Sequence, residues 1–412
     1  MRERNYTIEF FRIMFAINFL AVHVWMVYTM ATTREMSHIW ALDVILPFMI
    51  FAGYFLMHSF KKQQKSSIEL GISPGRQAWT YLKSRFMSLL PVFLVAQLGG
   101  FIVNYIFVMD LPYFLMPVVL LNHICELVGL QITGIGLGNG FIGVWGTPGI
   151  NIKLMNAPLW FISGLFVAGY LVYYLLAKCE NKFLSFIGPL FGLIFYGSQY
   201  LMDSNPFWFD MRHIGDFVFV EGFPHMFIGL TIGCLLWKAV DKLKDKEFSR
   251  GMRAFMTVAA SIIGLIIIWH TWVPITIPIW GVLLYVNWGS VHVLSVFFTF
   301  FVLLNVDGFS RLFNRKIFAT PGRLAFYIYM FHYPIIVVVG NLMNVGNEPD
   351  KLWILFGVST VVTIVVGYLF MLLNNKVIQP WFKKKPWYSK NQRELELTGE
   401  LTGDSSGSIS PS

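Results

Sequence analysis

Charge is what this chain lacks most. Only 13% of its 412 residues are Asp, Glu, Lys or Arg, about half the roughly 25% of an average soluble domain. With 56% hydrophobic residues, there is too little polar surface to cover a water-soluble fold, which places the chain in a membrane. Acidic residues are the scarcer sign, giving a net charge of +9. On a membrane protein such an excess marks cytoplasmic loops and not a nucleic-acid surface. Cysteine is scarce too. Cys125, Cys179 and Cys234 are far apart and odd in number, which suits neither a disulfide framework nor a metal site. The first apolar run is broken by Glu9 and Arg12 and leads to no clear small-x-small cleavage site, so it reads as a retained span and not a signal peptide.

What is present in quantity is long apolar stretches. Runs of spanning length fall at roughly 8–28, 41–60, 86–108, 158–177, 184–202, 223–240, 254–272, 291–306, 324–342 and 352–375. The expected fold is therefore an all-α integral membrane protein of about ten transmembrane helices. With the N-terminus inside, the basic residues test this count. Only Arg34, Lys153, Arg212 and Lys351 fall in outside connections and Arg12 within a span; all the other Lys and Arg lie on the inside. That bias puts both termini in the cytoplasm. Residues 113–130, "YFLMPVVLLNHICELVGL", are long enough to span but carry His123, Glu126 and Pro117. An extra span there would invert every later loop, so an interfacial or re-entrant helix is expected. The short, proline-containing stretch 273–288 is read in the same way. Residues 1–380 form one membrane domain, and 381–412 are expected as a disordered cytoplasmic tail.

Ionisable residues inside a span are costly and usually functional. Arg12 and His23 are eleven residues apart, so on a helix they share a face about three turns and ~16 Å apart. Glu9 lies three residues before Arg12, close enough to pair with it. Arg12 either reaches back to the cytoplasmic surface with Glu9 beside it or faces a cavity. His23 either bonds a neighbouring span or acts as a base, for which its neutral form is the useful one.

The segment "EFFRIMFAINFLAVH" at 9–23 resembles the opening helix of the acyltransferase-3 family, multi-span O-acyltransferases of bacterial membranes. That helix carries an acidic residue, then Arg-x(10)-His. Further matches occur in family order. "PFMIFAGYFL" at 47–56 is similar to FFxxSGYxL, with Ala52 in place of serine. "YLKSRFMSLLP" at 81–91 is similar to RxxRxxP, with Ser88 in place of the second arginine. "APLWFISGLF" at 157–166 is similar to the LWFL opening of the fourth span, without the glutamate of members reading WSLxxE. "GRLAFYIYMFHYP" at 322–334 is similar to GxxSYxxYLxHxP, aligning Tyr329 and His332. The resemblance runs over about residues 7–375.

It implies transfer of an acyl group, most often acetyl, from cytoplasmic acyl-CoA to a hydroxyl of a glycan or lipid-linked acceptor at a bacterial plasma membrane. His23 would be the general base, with Arg12 and Glu9 completing the catalytic set. Lys83 and Arg85 would draw the CoA phosphates or simply anchor a cytoplasmic loop. Trp160, Tyr329 and His332 would line the acceptor site, with an interfacial belt position the alternative for Trp160 and a structural hydrogen bond for His332. Acyl-CoA is then a co-substrate, and no bound cofactor or metal is implied. A flippase or transporter of an envelope precursor is the rival reading, since intramembrane Arg and His also line transport paths. The residues name neither the acceptor nor the oligomeric state.

Overall fold

A computed structural model of the protein describes residues 4–29, 42–107, 123–124, 126–127, 156–201, 212–214, 217–219, 222–272, 276–279, 282–285, 288–345 and 348–384. The chain divides into two compact units. One is built from Met1–Phe51, Gly99–Leu111 and Lys238–Met371, the other from Ala52–Leu98, Pro112–Trp237 and Leu372–Ser412.

In the first unit, α1 (Tyr6–Thr29) packs chiefly on α10 (Ala319–Leu342). Its start is defined by hydrogen bonding. The Asn5 side chain accepts from Thr7 N at 3.1 Å as an N-cap, and Tyr6 N donates to Asn314 Oδ1 at 2.8 Å. Thr7 Oγ1 donates to Ser310 O at 2.7 Å. These bonds satisfy helix-terminal groups that would otherwise be orphaned and tie α1 to the short α9 (Gly308–Phe313). Asp307 caps α9, accepting from Ser310 N at 2.7 Å. Aromatic packing completes the junction: Phe10 stacks on Phe313 at 4.1 Å, and Phe11 meets Phe298 of α8 (Trp288–Leu304) edge-on at 4.8 Å.

The same unit contains α7 (Arg250–Trp272) and α11 (Pro349–Leu373). The apolar window of α1 is 72% buried, whereas those of α7 and α11 are 22% and 28% buried. Ile262, Leu265 and Trp269 on α7, and Val361, Val365 and Leu369 on α11, are exposed. An apolar face of this size is suited to lipid contact. α1 and α10 therefore form the interior, where polar groups are shielded.

In the second unit, residues 52–69 of α2 (Leu42–Glu69) pack on residues 222–237 of α6 (Gly222–Leu243) at Gly53. A Cβ there would lie 2.2 Å from Leu230 O, so only glycine permits this packing. α3 (Pro74–Phe107) and α4 (Trp160–Lys182) share an aromatic contact, Tyr81 stacked on Tyr173 at 4.7 Å. Tyr173 also donates to Gln63 at 2.7 Å, and Lys61 pairs with Glu180 at 2.7 Å. α4 kinks at Cys179 and continues through a wide-turn segment, Phe183–Ile187, into α5 (Gly188–Leu201). Among the described residues the last helix is α12 (Gln379–Lys383).

Each of the ten expected stretches overlaps a described helix, although residues 41, 108 and 202 lie outside the described residues and Asn305 and Val306 are not helical. Among the described residues, seven helical stretches are long and apolar enough to cross a membrane. The stretches expected at 158–177 and 184–202 are continuous there as Trp160–Ile194, Val291–Leu304 is a shorter apolar helix, and the stretch expected at 41–60 is not among the seven. The spanning architecture is thus α-helical, with two small antiparallel hairpins outside the helices. β1 (Arg212–Ile214) pairs with β2 (Phe217–Phe219), and β3 (Thr276–Ile279) with β4 (Val282–Tyr285).

The second hairpin corrects the expectation of a helix at 273–288. Pro278 cannot donate within a helix, and the β-branched residues around it favour extended backbone. Of the other re-entrant candidate, 113–130, only His123–Ile124 and Glu126–Leu127 are described, and they are helical. The tail beyond Lys384 lies outside the described residues.

Candidate functional site

The helical period of α1 carries Glu9 and Arg12 to its N-terminal turns and His23 into its interior. Glu9 bridges two cations, taking Arg4 on Oε1 at 2.5 Å and Arg12 on Oε2 at 3.2 Å. Its carboxylate is seated where α10 has Gly322, whose absent side chain leaves the room. A Cβ on Gly322 would lie 2.3 Å from Glu9 Cβ and Oε2. The expected Glu9–Arg12 pair is therefore present, and Arg4 is an addition that sequence reasoning missed. Its signal was a second basic residue just before the helix. The Arg12 side chain is 31% exposed. One of its five donors is given to Glu9, so the guanidinium is held by the carboxylate and is still partly exposed.

Deeper in the helix, His23 is 4% exposed and His332 is 1% exposed. Their rings meet, with centroids 4.9 Å apart and planes at 70°. Phe19 packs against both, at 4.3 Å from His23 and 5.5 Å from His332, and Tyr333 stands edge-on to His23 at 6.1 Å. Tyr329 contacts Phe19 at 5.5 Å and His332 at 5.9 Å. His23, Tyr329 and His332 are thus brought together between α1 and α10. Tyr327, about 200° round α10 from Tyr329, instead packs toward Phe370 of α11.

The protons on the two imidazoles follow from their backbone contacts. His23 Nδ1 lies 2.8 Å from Phe19 O, and His332 Nδ1 lies 2.7 Å from Tyr329 O. A carbonyl oxygen only accepts, so each Nδ1 carries the hydrogen, and in the neutral ring each Nε2 is a lone pair. A neutral imidazole with a free Nε2, held at Nδ1, is equipped to remove a proton from a hydroxyl.

Lys83, Arg85 and Trp160 belong to the second unit. Arg85 is exposed, lies over the Tyr81 ring at 5.4 Å and donates to Ser59 Oγ at 3.2 Å. Ser88, at the position of the missing arginine, donates to Arg85 O within its own helix. Lys83 is half-buried. Trp160 is buried at the first turn of α4, which does not fit a belt position open to the membrane surface. Among the described residues, no group of three or more His, Cys, Asp or Glu side chains is placed to hold a metal ion.

Comparison with protein families matches residues 5–372 to the acyltransferase domain of the acyltransferase-3 family. The chain belongs to that family. No curated protein and no solved structure matches it.

Proposed function

We propose that this acyltransferase moves an acyl group, acetyl in the first instance, from cytoplasmic acyl-CoA to a hydroxyl of a cell-envelope carbohydrate or its lipid-linked precursor. The proposed setting is a bacterial plasma membrane, crossed ten times with both termini in the cytoplasm, as the charge distribution indicates. The observation that carries the mechanism is His23, an interior imidazole whose Nδ1 is bonded to Phe19 O so that Nε2 is the basic atom. The acceptor hydroxyl loses its proton to His23 Nε2 as its oxygen attacks the thioester carbonyl, and CoA leaves as the thiolate.

Arg12, steadied by Glu9, offers its remaining donors to the carbonyl or to a phosphate of the donor. Lys83 and Arg85 attract the CoA phosphates by charge. Tyr329 and Trp160 are assigned to the acceptor. Membership of an acyltransferase family favours this reading over that of a flippase, which has no need of acyl-CoA.

The test uses inverted bacterial membrane vesicles containing the full chain, with radiolabelled acetyl-CoA in the medium. Label should enter an envelope glycan or lipid-linked glycan fraction. His23→Gln should reduce incorporation by about 10²–10⁴-fold, the usual worth of a general base, at unchanged protein level and acetyl-CoA affinity. Incorporation at the parent rate in His23→Gln would remove His23 from the mechanism.

A further inference from the structure

The base proposed above receives a proton in a place poorly suited to hold one. Protonated His23 would be a cation buried among Phe19, Tyr333 and His332. Among the described residues no carboxylate contacts it. A buried charge without a hydrogen-bonded partner is strongly disfavoured.

His332 has the complementary deficiency. Its Nδ1–H is satisfied by Tyr329 O, while its Nε2 is buried and has no hydrogen-bond partner among the described residues. Buried acceptors are normally satisfied, and an exception calls for a cause such as a catalytic role. A lone pair left open on one imidazole, beside a second imidazole that must gain a proton, is a matched pair. In the resting state neither Nε2 carries hydrogen, so the two cannot bond each other. Protonation of His23 supplies the missing donor.

We infer that His332 is the proton-sharing partner of His23, a positioning residue acting through that histidine and not a contact for the acceptor glycan. The inference rests on His23 being the base. During transfer the acceptor O–H bond breaks, its oxygen forms the ester bond to the acyl carbon, and the C–S bond breaks to release the thiolate. The proton passes from the hydroxyl oxygen to His23 Nε2, is shared there with His332 Nε2, and leaves on the thiolate sulfur. Nothing is oxidised or reduced.

Two variants in the vesicle assay separate this from a structural or substrate-lining role. His332→Phe retains an aromatic ring against Phe19 and Tyr329 but has no lone pair. It should lose about 10²-fold in kcat, at the lower end of the range for proton transfer, with KM for acetyl-CoA unchanged. His332→Gln can accept a hydrogen bond and should recover part of that loss. The solvent isotope effect on kcat supplies the reading that packing does not move. One proton is in flight, so rates in H2O–D2O mixtures should fall linearly with deuterium fraction in the parent; losing the partner slows that transfer, so the isotope effect should grow in both variants, most in His332→Phe. If His332→Phe does not accumulate, the His332→Gln isotope effect decides alone.

Parent kcat with the parent isotope effect in His332→Gln would overturn the inference, as would a loss of rate in both variants at the parent isotope effect. Full activity in His23→Gln would instead remove the base itself. Loss in His23→Gln with parent behaviour in the His332 variants would remove only the partnership.

Discussion

Gly322→Ala is the sharpest structural test of the site, because the geometry around that position is so tight. A Cβ placed there falls 2.3 Å from Glu9 Cβ and Oε2, and 2.7 Å from Glu9 Cα. The carboxylate could swing aside, but Cβ and Cα are fixed to the α1 backbone. Normal carbon–carbon contact is about 3.5–4.0 Å, so α1 and α10 must separate locally by about 1 Å. Overpacking of this kind costs about 1–3 kcal/mol. Against a total stability of about 5–15 kcal/mol, the protein should still fold, with a lowered melting temperature.

The effect on catalysis should be larger. A misplacement of about 1 Å can cost about 10²-fold in rate, and here it moves the helix carrying Glu9, Arg12 and His23 against the one carrying His332. Thermal unfolding of purified protein, with label transfer from acetyl-CoA in vesicles, measures both quantities. Gly251→Ala is the control, since a Cβ there meets nothing within 4 Å. Parent melting temperature and parent rate in Gly322→Ala would refute the close seating of Glu9 on α10.

Two further outcomes follow from charge. Single cysteines near Lys62, Lys244 and Lys316, on a background without the three native cysteines, should resist a membrane-impermeant thiol reagent added to intact cells, while one near Asn151 should react. Reaction near Lys244 would mean that residues 113–130 cross the membrane and would overturn the ten-span topology. Changing both Lys83 and Arg85 to Gln should weaken acetyl-CoA binding in purified protein, and the difference from the parent should shrink at high salt, where such contacts are already screened. Unchanged affinity with lower expression would assign the pair to loop anchoring.

The interior face of α1 was legible in the sequence because it is a local property. Three residues on one helix keep their angular relation whatever surrounds them, so the spacing of Glu9, Arg12 and His23 carried the face without knowledge of a neighbour. Spanning length and basic-residue asymmetry are also properties of sequence, set by bilayer thickness and by loop charge. The hairpin at Thr276–Ile279 and Val282–Tyr285 was less accessible. Short apolar runs do not distinguish strand from helix by periodicity, although Pro278 pointed away from helix. What only the tertiary structure decided is which ring faces His23. His332 and Tyr329 lie on α10, remote in sequence, and about 100° of rotation separates a residue that faces α1 from its chain neighbour. Packing against α1 selected His332 and Tyr329 and turned Tyr327 toward α11. Arg4 was decided the same way, because it precedes the helix and only the folded chain brings it to Glu9.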